Sequence, residues 1–122
     1  MLPSYARMDV MLDSYPYHGT TTTCESLYMG VPVVTLAGRV CAARVGLSIL
    51  TNVGLPELVA KDEDDYVQIA VGLAGDAARL AQIRSGLRAK MRASPVCDGP
   101  RFAKRFGEAL RGMWREKCAA RP

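Results

Sequence analysis

Two short apolar runs on either side of a helix-forming segment constrain the fold of this chain more than any other feature. The first run covers residues 9–13, and the second covers residues 33–36 directly after Pro32. Residues 21–29 between them have the composition of a helix that Gly30 would end. Neither run alternates polar with apolar residues, which is typical of strands buried on both faces. The order strand, loop, helix, strand predicts an α/β fold with a parallel sheet.

The rest of the chain is predicted to be helical. One helix is expected over residues 40–50, after the break at Ala37 and Gly38, and Asp62 is suited to cap another. Two later segments carry apolar side chains at the three- and four-residue spacing of a helix face. The predicted inner stripes are Leu80, Ile83, Leu87 and Met91 in the first, and Phe102, Phe106, Leu110 and Met113 in the last helix.

A length of 122 residues is that of one domain or part of one. We expect a single partial domain, with an α/β portion at residues 1–60 and C-terminal helices at residues 61–122. Two parallel strands leave sheet edges unpaired and are seldom stable alone. The piece is therefore expected to continue a longer sheet or to pair with another copy of itself.

Charge is unevenly distributed along the chain. Residues 1–75 carry four Lys or Arg against eight Asp or Glu, a net charge of −4, and residues 76–122 carry twelve against four, a net charge of +8. A basic half can bind nucleic acid, a membrane surface or an acidic partner, or can be only the solvated face of helices. Nucleic-acid binding is not expected, because aromatic residues are not interleaved with the basic ones and no reading motif is present.

The sequence also bears on location and metal content. No apolar stretch approaches the roughly 20 residues that span a bilayer, and the first residues do not resemble a secretory signal, so no membrane partner is expected. The four cysteines lack Cys-x-x-Cys spacing, and the single histidine cannot complete a zinc site with them. Reduced thiols and a cytoplasmic location are the expectation.

Candidate binding residues follow the first predicted strand. We call residues 19–22 the Thr loop. A loop after a parallel strand lies at the carboxyl edge of the sheet, where open α/β folds bind ligands. Gly19 would allow close backbone approach, and Thr20, Thr21 and Thr22 would place N–H and hydroxyl donors at a helix N-terminus suited to phosphate. Glu25, one turn later, could accept hydrogen bonds from ribose hydroxyls.

A plainer interpretation of the Thr loop stays open, since threonines before a helix are often no more than an N-cap. The chain also lacks the Gly-x-x-x-x-Gly-Lys-Ser/Thr phosphate loop and the Gly-x-Gly-x-x-Gly fingerprint. This argues against P-loop NTPases and dinucleotide enzymes.

Several ordered blocks resemble the C-terminal catalytic region of O-GlcNAc transferases, and most of all the bacterial tetratricopeptide-repeat and SPINDLY-like members. The resemblance covers nearly the whole chain. The blocks are DVMLDSYPY at 9–17, GTTT at 19–22, LYMGVPVVTL at 27–36, Gly38, ARV at 43–45, Ser48, Leu50, GLPELVA at 54–60, Tyr66, Ala70 and Ser94-Pro95.

The resemblance implies the GT-B architecture, in which two Rossmann-like domains hold a nucleotide sugar between them. It implies transfer of N-acetylglucosamine, or fucose in some SPINDLY relatives, to Ser or Thr hydroxyls of proteins. Thr21 and Thr22 match threonines that hold the donor diphosphate, and Glu25 matches an acidic ribose ligand. Thr20 stands where many members carry a histidine. No cofactor or metal is expected, because helix dipole and side chains would offset the diphosphate charge.

Four further residues have open roles. His18 lies two residues before the family's histidine position and is expected at the surface or the cleft edge, not as a base. Arg44 matches a recurrent Arg-Val pair and is expected to tie a helix to the sheet more than to face the ligand. Tyr15 and Tyr17 could border the sugar or base, or could pack.

The resemblance starts at roughly the last two strands of the family's C-terminal domain. The expectation is that the acceptor protein is positioned by an N-terminal part missing from these 122 residues. Alone, the chain is expected to bind nucleotide weakly at best. The alternative is a non-catalytic remnant or interaction module that keeps the fold and assembles with another chain, including a homo-oligomer of the fragment.

Overall fold

A computed structural model describes residues 2–120 of the chain. Within this range it forms three short strands and six α-helices, with 3-10 turns at Cys41–Ala43, Pro56–Leu58 and Pro95–Cys97. The strands are β1 (Met11–Leu12), β2 (Val33–Leu36) and β3 (Val59–Ala60). The helices are α1 (Leu2–Tyr5), α2 (Thr21–Tyr28), α3 (Val45–Val53), α4 (Glu63–Gly75), α5 (Ala77–Ala93) and α6 (Gly99–Ala119).

The strands form one parallel sheet in the order β1-β2-β3. Met11 is in register with Val33 in the first pair, and Thr35 with Val59 in the second. The predicted α/β class with a parallel sheet is therefore confirmed, but the prediction of two strands is wrong. The third strand is only two residues long and directly follows a 3-10 turn. It therefore has too few residues to show the pattern of a strand in the sequence.

Helix α2 connects β1 to β2 and ends as the sequence predicts. Gly30 adopts the left-handed conformation with φ +83°, which glycine adopts without strain. The Val31 N–H donates to the Ser26 carbonyl at 2.9 Å, which closes the helix and turns the chain into the buried strand β2. The helix start differs from the expectation, because the Thr20 side chain makes no capping hydrogen bond. The Thr23 hydroxyl instead donates to the Gly19 carbonyl at 2.8 Å.

The helix predicted over residues 40–50 is displaced. A 3-10 turn occupies Cys41–Ala43, and α3 then begins at Val45 and ends at Gly54, which has φ +81°. Arg44 stands between the two segments and donates from Nη1 to the Gly38 carbonyl at 3.0 Å. This bond ties the start of α3 to the loop after β2, which is the structural role expected for Arg44.

The core lies between the sheet and the helices. Asp62 caps α4 as predicted, accepting from the Asp65 N–H at 2.8 Å. Helix α5 packs against α2, and the Arg88 guanidinium lies 5.1 Å from the ring centre of Tyr28. The buried apolar cluster comprises Leu27, Val33, Val34, Ile49, Leu50, Val53, Leu55, Leu58, Leu73, Leu87 and Met91.

The last helix departs from the prediction. Its apolar stripe was expected to face inward, but α6 has no buried residue, and the Phe102 side chain is 65% exposed. Phe102 and Phe106 stack on each other with ring centres 5.6 Å apart. The helical spacing of the stripe was correct. The spacing could not show whether another surface covers the stripe, and none does within the described residues.

Candidate functional site

The Thr loop follows β1 at the carboxyl end of the sheet. Together with Ser14, Tyr17 and His18 it lines an open cavity of about 320 Å³. Gly19, Thr20, Thr21 and Thr22 therefore surround one space. Each of the three threonines is exposed.

The backbone of the Thr loop offers hydrogen-bond donors with no internal partner. The N–H groups of residues 20–23 have no acceptor among residues 2–120, whereas the next N–H, of Cys24, donates to the Thr20 carbonyl. Such groups give a helix start its partial positive charge. Residues 20–22, which line the cavity, thus offer an anion there both unpaired N–H groups and hydroxyls.

Glu25 lies apart from this cavity, because its side chain is directed toward the N-terminal segment. The Tyr5 hydroxyl donates to Glu25 Oε2 at 3.1 Å. Burial, then the hydrogen bond to Glu25 and the charge of Glu25, raise the pKa of the Tyr5 phenol, so the phenol stays protonated and remains a donor. Glu25 does not line the space around the Thr loop.

The buried carboxylate of Asp13 holds the first residue of the Thr loop in place. Asp13 is 5% exposed and accepts from the Gly19 N–H at 2.9 Å through Oδ1 and from the Thr35 hydroxyl at 2.8 Å through Oδ2. Its own carbonyl accepts from the Tyr66 hydroxyl of α4 at 2.9 Å. Burial, and then the Asp13 charge, raise the pKa of Tyr66, which keeps this phenol a donor. The carboxylate thus connects the loop to β2, and the residue connects both to α4.

His18 is buried, so the expectation of a surface histidine is wrong, although the residue does border the Thr-loop cavity, as expected for a cleft edge. The residue is 2% exposed, and its ring lies between the ends of β1 and β2 and the start of α3. Nδ1 accepts from the Gly46 N–H at 3.0 Å, and Nε2 lies 3.0 Å from the Leu36 carbonyl. The sequence shows one isolated histidine. Its hydrogen-bond partners are 17 to 28 residues away, so nothing local in the sequence reveals them.

Two glycines make this arrangement sterically possible. A Cβ at Gly19 would collide with the Thr22 hydroxyl, and a Cβ at Gly46 would collide with the Thr35 hydroxyl and lie 2.6 Å from Asp13 Oδ2. Sequence reasoning identified Gly19 but missed Gly46, Asp13 and Thr35. In the sequence, Asp13 is the polar residue that ends the first apolar run, and Thr35 carries the lone hydroxyl inside the second. These two positions are the features that could have indicated their role.

The remaining candidates have separate positions. Tyr15 and Tyr17 are both exposed, so neither packs in the core, and Tyr17 borders the Thr-loop cavity. Arg44 borders a second, mostly apolar cavity of about 970 Å³ between α2 and α3. Residues 2–120 contain no group of three or more His, Cys, Asp or Glu side chains that could hold a metal ion. No helix in the same range is long and apolar enough to cross a bilayer.

The arrangement of sheet, Thr loop and helices has counterparts among known proteins. The model of glycosyl transferase family 41 matches residues 6–106, which include all three strands and the Thr loop. The chain belongs to this family. Its fold also matches that of a mutant of the Thermobaculum terrenum O-GlcNAc transferase with a TM-score of 0.90 and 43% identity, over 97% of this chain and 23% of that one. The resemblance seen in the sequence is confirmed, and with it the fold class, a portion of a GT-B domain.

Family 41 relatives from plants and animals are similar along nearly all of this chain. The probable UDP-N-acetylglucosamine–peptide N-acetylglucosaminyltransferase SPINDLY of Arabidopsis thaliana is 56% identical over 117 residues, which is 96% of this chain. The UDP-N-acetylglucosamine–peptide N-acetylglucosaminyltransferase of Caenorhabditis elegans is 36% identical over 114 residues. The chain spans only 13% and 10% of the lengths of these two proteins.

Proposed function

We propose that the Thr loop binds the diphosphate of a nucleotide-sugar donor, and that in a full-length enzyme the sugar passes to Ser or Thr hydroxyls of a protein. The observation that carries this proposal is the row of N–H groups at residues 20–23. They have no acceptor within the described chain and lie beside three exposed hydroxyls. Hydrogen bonds between such donors and a charged phosphate are stronger than those between neutral groups.

The donor is proposed to be of the UDP-N-acetylglucosamine type, because the plant and animal relatives carry that donor in their names. The protein acceptor would be positioned by the rest of the full-length enzyme, including the N-terminal Rossmann-like domain and tetratricopeptide repeats. Catalysis there would consist of stabilising the departing diphosphate with donors already in place.

We infer that donor binding requires no metal ion, since the positive end of α2 and the three hydroxyls offset the diphosphate charge. A cytoplasmic location is inferred from the cysteines, because all four are free thiols.

Calorimetry with UDP tests the Thr loop. The chain should bind UDP weakly, and Thr21→Ala or Thr22→Ala should each weaken binding by about tenfold, the effect of losing one hydrogen bond to a charged group. Ser85→Ala removes an exposed hydroxyl on α5 and serves as the control, with no change expected. Affinity should be the same with EDTA present. Absence of heat at millimolar UDP would sink the proposal for this chain.

The proposed ribose role of Glu25 is tested by the same calorimetry with UDP. Tyr5→Phe removes the hydroxyl that donates to Glu25 and leaves the carboxylate in place. If Glu25 holds the ribose, Glu25→Ala weakens UDP binding and Tyr5→Phe does not. Equal effects of the two variants would mean that the Tyr5–Glu25 bond matters only for structure.

The exposed stripe of α6 favours a second function, which is assembly with another copy of the chain. Five large apolar residues of this helix are exposed: Phe102, Phe106, Leu110, Met113 and Trp114. A cluster of exposed apolar side chains commonly marks a contact site. Arg101, Lys104 and Arg105 lie on the same helix, whereas the first turn of α4 carries Glu63, Asp64 and Asp65. These opposite charges favour contact between α6 of one copy and α4 of another.

Sedimentation of the purified chain tests assembly. The native chain should dimerise at micromolar concentration, and Phe106→Glu should be monomeric with unchanged helix content, because Phe106 contributes nothing to the core. Val67→Glu on the exposed face of α4 should have the same effect. A native chain that is monomeric at all concentrations would contradict this second function.

A further inference from the structure

His18 contacts three parts of the fold at once, although no step of donor binding has been assigned to it. The ring reaches the Leu36 carbonyl at the end of β2 and the Gly46 N–H at the start of α3. The backbone N–H of His18 donates to the Ala42 carbonyl at 3.1 Å. The next residue in the chain is Gly19, the first of the Thr loop.

The hydrogen bonds define one protonation state of the ring. Nδ1 accepts from the Gly46 N–H, so Nδ1 carries no proton. The ring proton is therefore on Nε2, which donates it to the Leu36 carbonyl. A neutral imidazole with its proton on Nε2 satisfies both partners, and the other neutral tautomer satisfies neither.

A charged ring would rearrange these bonds. Nδ1 lies 3.4 Å from Asp13 Oδ2 and 3.3 Å from the Thr35 hydroxyl oxygen. With a proton on Nδ1, the Gly46 N–H loses its acceptor, and the new N–H competes with the Thr35 hydroxyl for Asp13. Asp13 also holds the Gly19 N–H, so a change at the ring reaches the Thr loop through one carboxylate.

Few other titratable groups face the ring. Asp13 approaches it from the end of β1, and the Tyr15 ring centre lies 6.4 Å away. Tyr66 of α4 reaches the pair only through the Asp13 carbonyl. Among the described residues, no lysine or arginine forms an ion pair with Asp13 that would compete with a protonated His18.

We propose that His18 is a positioning residue, whose neutral imidazole holds the Thr loop in its binding conformation and whose protonation loosens it. The proposal rests on the donor-binding function of that loop. Donor affinity then falls when the ring gains a proton on Nδ1, because the Gly46 N–H loses its acceptor and Asp13, which also holds the Gly19 N–H, gains a new donor. The loop is fixed before the donor arrives, which lowers the cost of ordering it on binding.

The first measurement uses the native chain without nucleotide. Imidazole nitrogen NMR at neutral pH should show the proton on Nε2, as the bonds to the Leu36 carbonyl and from the Gly46 N–H require. The Gly19 and Gly46 amides should be protected from hydrogen exchange at that pH. Protection of both should fall by about tenfold when the ring becomes protonated, as local opening becomes easier. A proton on Nδ1 at neutral pH, or amide protection that does not follow ring protonation, would overturn the proposal.

The second measurement compares variants by UDP affinity against pH. His18→Asn places an amide oxygen near the Nδ1 position, so it can accept from the Gly46 N–H but cannot titrate. Its UDP affinity should be within about threefold of native at neutral pH and should stay constant over the pH range in which the nitrogen spectrum shows the native ring to gain its proton, whereas native affinity should fall roughly tenfold over that range. His18→Ala should lose about tenfold at both ends of the range.

The outcomes separate this proposal from the one it rests on. If the native chain binds UDP but keeps its affinity at a pH where the nitrogen spectrum shows the ring protonated, the positioning role is wrong and the donor site stands. The same conclusion follows if His18→Asn shows the same acid loss as the native chain. If the native chain does not bind UDP, the donor function fails, and the nitrogen spectrum and amide exchange still decide whether His18 holds the loop.

Discussion

Gly46→Ala is expected to lower the free energy of unfolding by about 2–4 kcal/mol, at or above the usual range for overpacking a core. The added methyl group would collide with the Thr35 hydroxyl and lie 2.6 Å from Asp13 Oδ2 and 2.8 Å from Thr35 Cβ. Thr35 and Asp13 are both buried, so neither can move into solvent. The methyl group would also strain the bond from the Gly46 N–H to His18.

Helix propensity opposes this loss of stability in Gly46→Ala, because alanine is favoured over glycine in a helix by roughly 1 kcal/mol. Gly72→Ala isolates that effect, because Gly72 lies inside α4 with no atom within 4 Å of an added Cβ. Urea unfolding followed by circular dichroism should show Gly72→Ala to be as stable as the native chain or more stable. A Gly46→Ala chain of native stability would mean that the space between β2 and α3 is looser than these distances indicate.

The sequence predicts those parts of the fold that depend on near neighbours. The unit from β1 through α2 to β2 is marked by two apolar runs, by Gly30 and by Pro32, all within 28 residues. The start of α4 is marked by Asp62, which does cap it. Strand β3 is not predicted, because two residues are too few to show the two-residue period of a strand.

The same holds for the candidate site, where the sequence predicts the residues that are neighbours in the chain. Gly19, Thr20, Thr21 and Thr22 share one cavity because they are consecutive at the end of one strand. The residues that hold the loop come from β2 and α3, and their contacts depend on how distant segments pack. Glu25 is placed by its contact with Tyr5, twenty residues earlier in the chain. The periodicity of α6 predicts its apolar face but not what covers it.

Some of the basic residues in the second half of the chain have structural roles. Arg84 donates from Nη1 to the Asp9 carbonyl at 2.9 Å, just before β1, and Arg88 donates from Nε to the Tyr28 carbonyl at 2.9 Å, at the end of α2. Tyr66 reaches the Asp13 carbonyl from α4. Helices α4 and α5 thus hold both ends of the segment that carries the Thr loop, so the helical half contributes to the site without lining it.

Asp13→Ala is expected to be the most damaging substitution around the Thr loop. It removes the acceptor of the Gly19 N–H and that of the buried Thr35 hydroxyl. A buried donor left without a partner costs about 1–3 kcal/mol, so the free energy of unfolding should fall by roughly 3–5 kcal/mol. UDP binding should be lost as well, since Gly19 is no longer held at the start of the loop. Urea unfolding and calorimetry on the same preparations measure the two effects.

Asp9→Ala is the matched control, because this carboxylate is 84% exposed and faces Arg84 at 3.4 Å on the surface. An exposed ion pair contributes about 0–1 kcal/mol, so this variant should fold and bind UDP like the native chain. Asp13→Asn should lie between the two, since an amide oxygen can still accept from the Gly19 N–H. If Asp13→Ala proves no more damaging than Asp9→Ala, the Thr loop does not depend on the buried carboxylate. The order Asp9→Ala, Asp13→Asn, Asp13→Ala in rising damage would instead show that the bond to Gly19 contributes separately from the bond to Thr35.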